Sequence, residues 1–336
     1  MNVTIKDIAK IANVSYSTVS KALNNSPLVK PTTKEKIMTI ANELGYQPNF
    51  AAQRLVSNRT NIIGLIWPTI DRVVLSTLVT EINKKIEKTH YSMILSVEPI
   101  PKSLETFKRF QVDGIIYFDE SFENEIPEMD LPLVIYGVQD PYHVHPVVDP
   151  NHAKSMFLAV NHLKNLGHKR IAYIGDLNTE DPRQVNKFNG YLKAMNDLQL
   201  PLNEQDHIDT GGLNWNHGYD GVKKLFQSNT LPTAIISGSY DISEGILRRV
   251  KEEQMDVPND ISIVSYDNVP QMEKMEVPLT SVGVSLSYLA KKITNKIIEH
   301  IEKPDSPSAK ENILLQPIIT ERDSCKPLNE TTKPTF

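Results

Sequence analysis

The chain has 336 residues, about two domains' worth of sequence, with 40% hydrophobic and 23% charged side chains. That composition excludes a collagen-like chain, a disordered chain and a disulfide scaffold, and the one cysteine, Cys325, has no internal partner. The net charge of −5 points away from nucleic acid, but residues 1–60 carry eight basic and three acidic side chains, leaving 28 basic against 38 acidic in the remainder. A +5 head on a −10 body suggests a small polyanion-binding module fused to a larger part with another task.

The head reads as three short helices. Ile5, Ile8, Ala9 and Ala12 form a stripe at i, i+3, i+4, i+7, with Thr4 as its N-cap. Asn13 tolerates left-handed geometry, Ser15 caps a second helix, and Val19, Ala22 and Leu23 face inward. Thr32 and Glu35 have capping-box spacing ahead of Ile37, Ile40, Ala41 and Leu44, and Gly45 is a natural stop. Helix, tight turn, helix and a supporting third helix predict a helix-turn-helix domain over residues 1–46. Residues 47–60 predict a hinge, in which Asn49 caps a helix over 50–56 too short to be stable alone.

From residue 61 strand-like apolar runs (62–67, 92–97, 114–118, 133–136, 170–174, 234–237, 261–266) alternate with helical patterns (78–86, 153–166, 189–198, 219–226, 243–251). The fold class is therefore α/β: two doubly wound parallel-sheet subdomains over 61–320, the second starting near 166–170, with a polar tail over 321–336. The start of the chain has no apolar run of signal-peptide length, and no stretch approaches a membrane span, so a cytoplasmic, nucleoid-associated protein is expected, with no membrane partner.

Thr4-Ile5-Lys6-Asp7-Ile8-Ala9, Val14 to Lys21, Leu23-Asn24, Gly45 to Asn49, Ala51-Ala52 and Leu55 together resemble the lactose/galactose-repressor (LacI/GalR) family of bacterial transcription regulators. Ile63-Gly64-Leu65, Asn161-His162-Leu163, Leu166 to Ala172, Gly190-Tyr191, Ala194 and Ile261 to Asp267 extend the resemblance to about residue 320. The resemblance implies that Tyr16, Ser17 and Lys21 read base edges from the outer face of the second helix. Ser15, Thr18, Ser20 and Asn24 would fix register on phosphates, and Thr4, Asn49 and Ala52 complete the DNA-facing set. Leu55 would be the apolar wedge that kinks the operator at its minor groove. Lys21 stands where the family more often has arginine, and a lysine lacks the rigid fork that grips guanine. Two hinges that order only when two subunits and DNA support them imply a homodimer on a pseudo-palindromic operator. The tail has no leucine heptad, which argues against a tetramerising coiled coil.

The family's body is similar to periplasmic sugar-binding proteins, with a small effector, a sugar, sugar acid or sugar phosphate, in the cleft between subdomains. Asp267 matches a carboxylate that accepts sugar hydroxyls, and Lys187 stands where an arginine usually clamps a ligand oxygen, with Arg183 four residues earlier. Ser239-Tyr240 replaces the usual Asn-Asp pair, with Asp241 next, and Asp71-Arg72-Val73-Val74 replaces an Asn-Pro-aromatic turn. Trp215 would stack on a sugar face, although it equally suits packing. The basic set of Arg72, Arg183 and Lys187 would suit an acidic ligand. His143, His145, His152, His162 and His168 have no carboxylate or thiol at metal-ligand spacing, so neither metal nor cofactor is expected. No dinucleotide, P-loop, nucleophile-elbow or zinc motif is present, so a ligand-responsive regulator, most simply a repressor, is expected rather than an enzyme. A body that instead docks a protein corepressor stays open.

Overall fold

The computed structural model describes residues 3–23, 26–46, 59–120, 129–139, 144–227 and 230–328. The chain divides into two units, residues 1–60 and 61–336.

In the first unit α1 (Ile5–Ala12), α2 (Tyr16–Leu23) and α3 (Pro31–Glu43) close on a core of Ile8, Ala12, Val19, Ala22, Ile37 and Ala41. Asn13 ends α1 in the left-handed conformation, at φ 53°, and so turns the chain into α2. The expected capping box at Thr32 is not formed. The third helix starts two residues earlier, with Pro31 in its first turn and Lys30 as N-cap. Proline presets φ there and lacks only an N–H that the helix start would leave unpaired, so Pro31 takes the first turn and Thr32 lies inside the helix.

The second unit holds two six-stranded sheets. Its elements in chain order are β1 (Ile62–Ile66), α4 (Val73–Ile86), β2 (Ser92–Ser96), α5 (Ile100–Phe110), β3 (Gly114–Phe118), β4 (Leu133–Tyr136), β5 (Val147–Pro150), α6 (His152–Asn165), β6 (Ile171–Gly175), α7 (Pro182–Asp197), β7 (His207–Asp209), α8 (Trp215–Phe226), β8 (Ala234–Ser237), α9 (Tyr240–Glu252), β9 (Ser262–Asn268), β10 (Thr280–Ser285), α10 (Leu286–Glu302), β11 (Ile313–Leu315) and β12 (Ile318–Thr320). The sheet orders are β11-β5-β4-β3-β1-β2 and β12-β10-β9-β8-β6-β7, and every pairing is parallel except β10 with β12. Strands such as β3, β4, β6 and β8 are buried along their whole length, as parallel strands covered on both faces must be.

The lobes are not split at 166–170. The chain leaves the first lobe straight after β5, because α6 packs on α7 through Met156, Ala159, Val160 and Leu163 against the second lobe's Ile171, Tyr191 and Ala194. It returns with α10, which packs on α4 and puts Ile297 and Ile301 against Gly114 of β3. It then gives β11 to the first sheet and β12 to the second. Three crossings therefore join the lobes.

Helices α8 and α9 are in backbone contact. A Cβ on Gly245 would overlap the Trp215 carbonyl oxygen, and one on Gly218 would overlap that of Ile242. The expected polar tail is also different through Leu328. Ser324 is buried, donating to the Ile263 carbonyl at 2.6 Å and accepting from the Thr280 amide at 2.8 Å, and the Leu328 amide donates to Leu166 at 2.7 Å. Burial raises the neighbouring Cys325 thiol to about 11, which leaves it unreactive near neutral pH. Among the described residues no helix is long and apolar enough to cross a membrane.

Candidate functional site

The head presents a polar outer face on α2. Tyr16 is 49% exposed, and Ser15, Ser17 and Lys21 are exposed beside it, while Thr18 and Ser20 are half-buried. The Ser15 hydroxyl accepts from the Thr18 amide at 3.1 Å and lies 2.8 Å from both the Ser17 and the Thr18 hydroxyls. Those three hydroxyls thus cap the first turn and hold each other, leaving Tyr16 and Lys21 as the projecting groups. At α1 the Asp7 carboxylate accepts from the Thr4 hydroxyl at 2.7 Å and amide at 2.8 Å, and these bonds lower its pKa. Asn24, Asn49, Ala52 and Leu55 lie outside the described residues.

The body's candidate site lies between its lobes, where the carboxyl ends of both sheets meet. A cavity of about 50 Å³ is lined by Phe118 and Tyr136 from the ends of β3 and β4, by Tyr266 and Asp267 of β9, and by Arg72, His152, Arg183, Gln184, Lys187 and Ser239. That volume holds a few waters and falls well short of the ~300 Å³ of a small-molecule site, so the cleft is nearly closed.

Three cations line it, each held differently. Arg183, in the first turn of α7, is clamped by its own N-cap: Nε and Nη2 donate to Asp181 Oδ1 and Oδ2, both at 2.8 Å. Its guanidinium lies 4.2 Å from the Phe118 ring centroid and 3.5 Å from Glu120, both across the cleft. Burial disfavours the Asp181 carboxylate, but Arg183 outweighs it and holds its pKa at about 2. Lys187, one turn on, donates from Nζ to the Gly238 carbonyl at 2.7 Å and stands 4.3 Å from the Tyr266 ring centroid. Burial pushes this ammonium down to about 8 against the pull of Asp267 and Asp181. Arg72, just before α4, faces Asp241 of the other lobe at 3.4 Å, and the Val73 amide donates to the same carboxylate at 3.3 Å. Asp241, in the first turn of α9, is raised by burial, with Arg72 opposing.

Asp267 has φ 81°, a left-handed conformation that a non-glycine residue adopts at a cost and that recurs at functional sites. Its carboxylate accepts from the Tyr240 amide at 3.0 Å. Two buried groups in the cleft were not anticipated. His152 Nδ1 lies 2.6 Å from the Tyr266 hydroxyl, and its Nε2 faces Asp149 at 3.3 Å without forming a hydrogen bond. Burial lowers the His152 pKa. Gln184 donates to Asp181 at 3.0 Å, while its own carbonyl oxygen is buried with no partner among the described residues.

Arg72, Arg183, Lys187 and Asp267 therefore come together as lining residues. Asp241 stands behind Arg72 rather than in the lining. Two expected ligand residues are not in the cleft. Asp71 is exposed, with its amide donating to the Thr69 hydroxyl. Trp215 is 47% exposed at the start of α8, under the Arg248 guanidinium, because its turn packs on α9 rather than on the strand ends. Tyr136 carried one readable signal, a polar-tipped aromatic ring at the end of the otherwise apolar strand β4, whereas His152 follows a strand that holds Asp149 and Tyr266 lies within the mixed strand β9. Among the described residues no group of three or more His, Cys, Asp or Glu is arranged to hold a metal.

Residues 4–49 match the family "Bacterial regulatory proteins, lacI family", and residues 160–325 match "Periplasmic binding protein-like domain". Catabolite control protein A of Priestia megaterium is 31% identical over 312 residues, covering 88% of this chain and 94% of that protein. The HTH-type transcriptional repressor PurR of Actinobacillus pleuropneumoniae serotype 3 (strain JL03) is 30% identical over 339 residues, covering 97% and 99%. In fold, the chain superimposes on the lac repressor dimer bound to operator and the anti-inducer ONPF with a TM-score of 0.78, at 22% identity, over 97% of this chain and 100% of that one. The chain belongs to the lacI family of bacterial regulatory proteins and is a DNA-binding transcriptional regulator with a periplasmic-binding-protein-like body, not an enzyme.

Proposed function

We propose that this protein is a repressor that binds a pseudo-palindromic operator as a homodimer and is controlled by a small hydroxylated ligand in the body cleft. The observation that carries the reading is the cleft itself: polar side chains from both lobes converge on one nearly closed cavity at the strand ends. Ligand binding there changes how the lobes close, and the hinges, brought together or apart, gain or lose the mutual support they need on DNA. Tyr16, Ser17 and Lys21 read the major groove, Ser15, Thr18, Ser20 and Asn24 hold the backbone with Thr4 and Asn49, and Ala52 and Leu55 enter the minor groove.

A partner copy is supported by the likeness in fold to the lac repressor dimer bound to operator. Two +5 heads on one operator make binding electrostatic at long range, so the protein acts in the cytoplasm where the DNA is. Selection of bound DNA from a random pool, followed by sedimentation of the complex, tests this directly. A two-fold symmetric consensus bound by two chains is expected; an asymmetric consensus bound by one chain would refute it.

A further inference from the structure

We propose that the ligand carries an oxyanion, a carboxylate or a phosphoryl group, on a hydroxylated carbon skeleton, and that Lys187 seats the oxyanion with Arg72 and Arg183 supplying further donors. This rests on the reading of the cleft as the ligand site. The cavity lining holds three cations against one carboxylate, Asp267. Of the carboxylates outside the lining, Asp181 clamps Arg183, Glu120 lies 3.5 Å from the same guanidinium, Asp241 faces Arg72 and Asp149 faces His152, so each is engaged with a group other than Lys187.

Among the described residues, Lys187 is the one of these three cations with no carboxylate in hydrogen-bonding contact. Its neighbours are a backbone carbonyl and the face of Tyr266, although an ammonium offers three donors. It is 4% exposed, so its charge is desolvated by the fold. An oxyanion entering the cleft meets that charge where few waters compete for it, and the bond is charge-assisted. A neutral sugar offers the ammonium a hydroxyl acceptor but no compensating charge, and a cationic ligand meets three like charges in the lining.

The hydroxylated skeleton follows from the acceptors. The Gln184 carbonyl oxygen is buried without a partner among the described residues, and the residue is itself 4% exposed. Asp267 is acceptor-only when ionised, and one backbone amide does not fill its lone pairs. Both need donors, and hydroxyls supply donors without adding a positive charge beside Lys187.

The test uses the full-length chain with matched probes: glucuronate, galacturonate and gluconate, glucose 6-phosphate, and the neutral parents glucose and galactose. Binding is read by thermal shift and by the fluorescence of Trp67, whose ring lies 4.8 Å from Phe118 and 6.0 Å from Tyr136, in a Trp215→Phe background. At least one anionic probe is expected to bind tenfold or more tighter than its neutral parent. Lys187→Met and Arg72→Gln should each weaken that probe at least tenfold while still unfolding cooperatively. Response to the sugar acids alone identifies a carboxylate ligand, and response to the phosphate alone a phosphoryl ligand. Equal binding of the neutral parents, no loss in Lys187→Met, or no response to any anionic probe at about 10 mM overturns the proposal. A bound anionic probe that leaves operator affinity unchanged upholds this inference and sinks the effector reading instead.

Discussion

Replacing Lys187 with methionine should make the ligand-free protein more stable at neutral pH. The ammonium's pKa falls from 10.5 to about 8 in the fold. At about 1.4 kcal/mol per pH unit, the fold disfavours the charged form by about 3 kcal/mol, net of the pull of Asp267 and Asp181. Methionine keeps most of the stem's volume and removes the charge. It forfeits the bond to the Gly238 carbonyl, worth about 1 kcal/mol, and the contact with the Tyr266 ring, worth about 1 kcal/mol. The balance is a gain of about 1 kcal/mol, which raises Tm by roughly 2–4 °C. The pH dependence separates this from a packing effect. A base whose pKa is depressed on folding destabilises in full below its folded pKa and stops doing so above its unfolded one, so the advantage of Lys187→Met should hold at pH 7 and fade between about 8 and 10.5. Thermal unfolding of both proteins at pH 7 and pH 10 measures it. A variant less stable than the parent at pH 7, or one with the same advantage at both pH values, would refute the reasoning.

Gly245→Ala should lower Tm by roughly 5–10 °C, about 3 kcal/mol, because the new Cβ meets the backbone of Trp215 and Tyr219, which cannot rotate away; a shift under 1 °C in calorimetry would contradict it. Leu55→Ala should weaken operator binding tenfold or more in an anisotropy titration while leaving thermal unfolding of the body unchanged, and unaltered affinity would remove Leu55 from the mechanism. Asp241→Asn should open the ligand-free cleft, since it takes the charge from the one carboxylate facing Arg72 across the lobes; small-angle scattering should show a larger radius of gyration, and superimposable curves would argue against a latch there. Burial lowers the pKa of His152, His162, His168 and His207. Below the ordinary histidine value the unfolded chain therefore binds more protons, and stability should fall as pH drops from 7.5 to 5.5; a flat or rising Tm over that range would be inconsistent with these environments.

The head was largely legible because its helices follow the 3.6 period and its turn carries Asn13, whose left-handed geometry is visible in the residue type. Pro31 defeated the capping argument at Thr32 because two start signals stand side by side and the proline takes the first turn. In the body, the short strands β3, β4 and β8 stood out only as apolar runs, while β5, a four-residue strand ending in Pro150, did not. Helix α10 does show Leu286, Leu289, Ala290, Ile293 and Ile297 at helical spacing, but no local pattern says that it returns to the first lobe. The cleft's charged groups could be found by position, since Arg183, Lys187 and Asp267 sit beside recognisable landmarks. Trp215 could not be placed, because stacking on a ligand and packing beside Arg248 ask for the same side chain.

The three crossings between the lobes bear on how the chain is made. Helix α10 covers the first sheet beside α4, and β11, over residues 313–315, pairs with β5 at its edge. A ribosome therefore releases almost the entire chain before the first lobe can be completed, although most of that lobe's residues are synthesised first. Until then the face of β3 that Ile297 and Ile301 will cover stays apolar and open. A nascent chain halted near residue 280 should accordingly be held by chaperones and cut by protease within the first lobe, whereas one released past residue 320 should resist. The interleaving that ties the two lobes together thus makes the body's earliest part the last to finish folding.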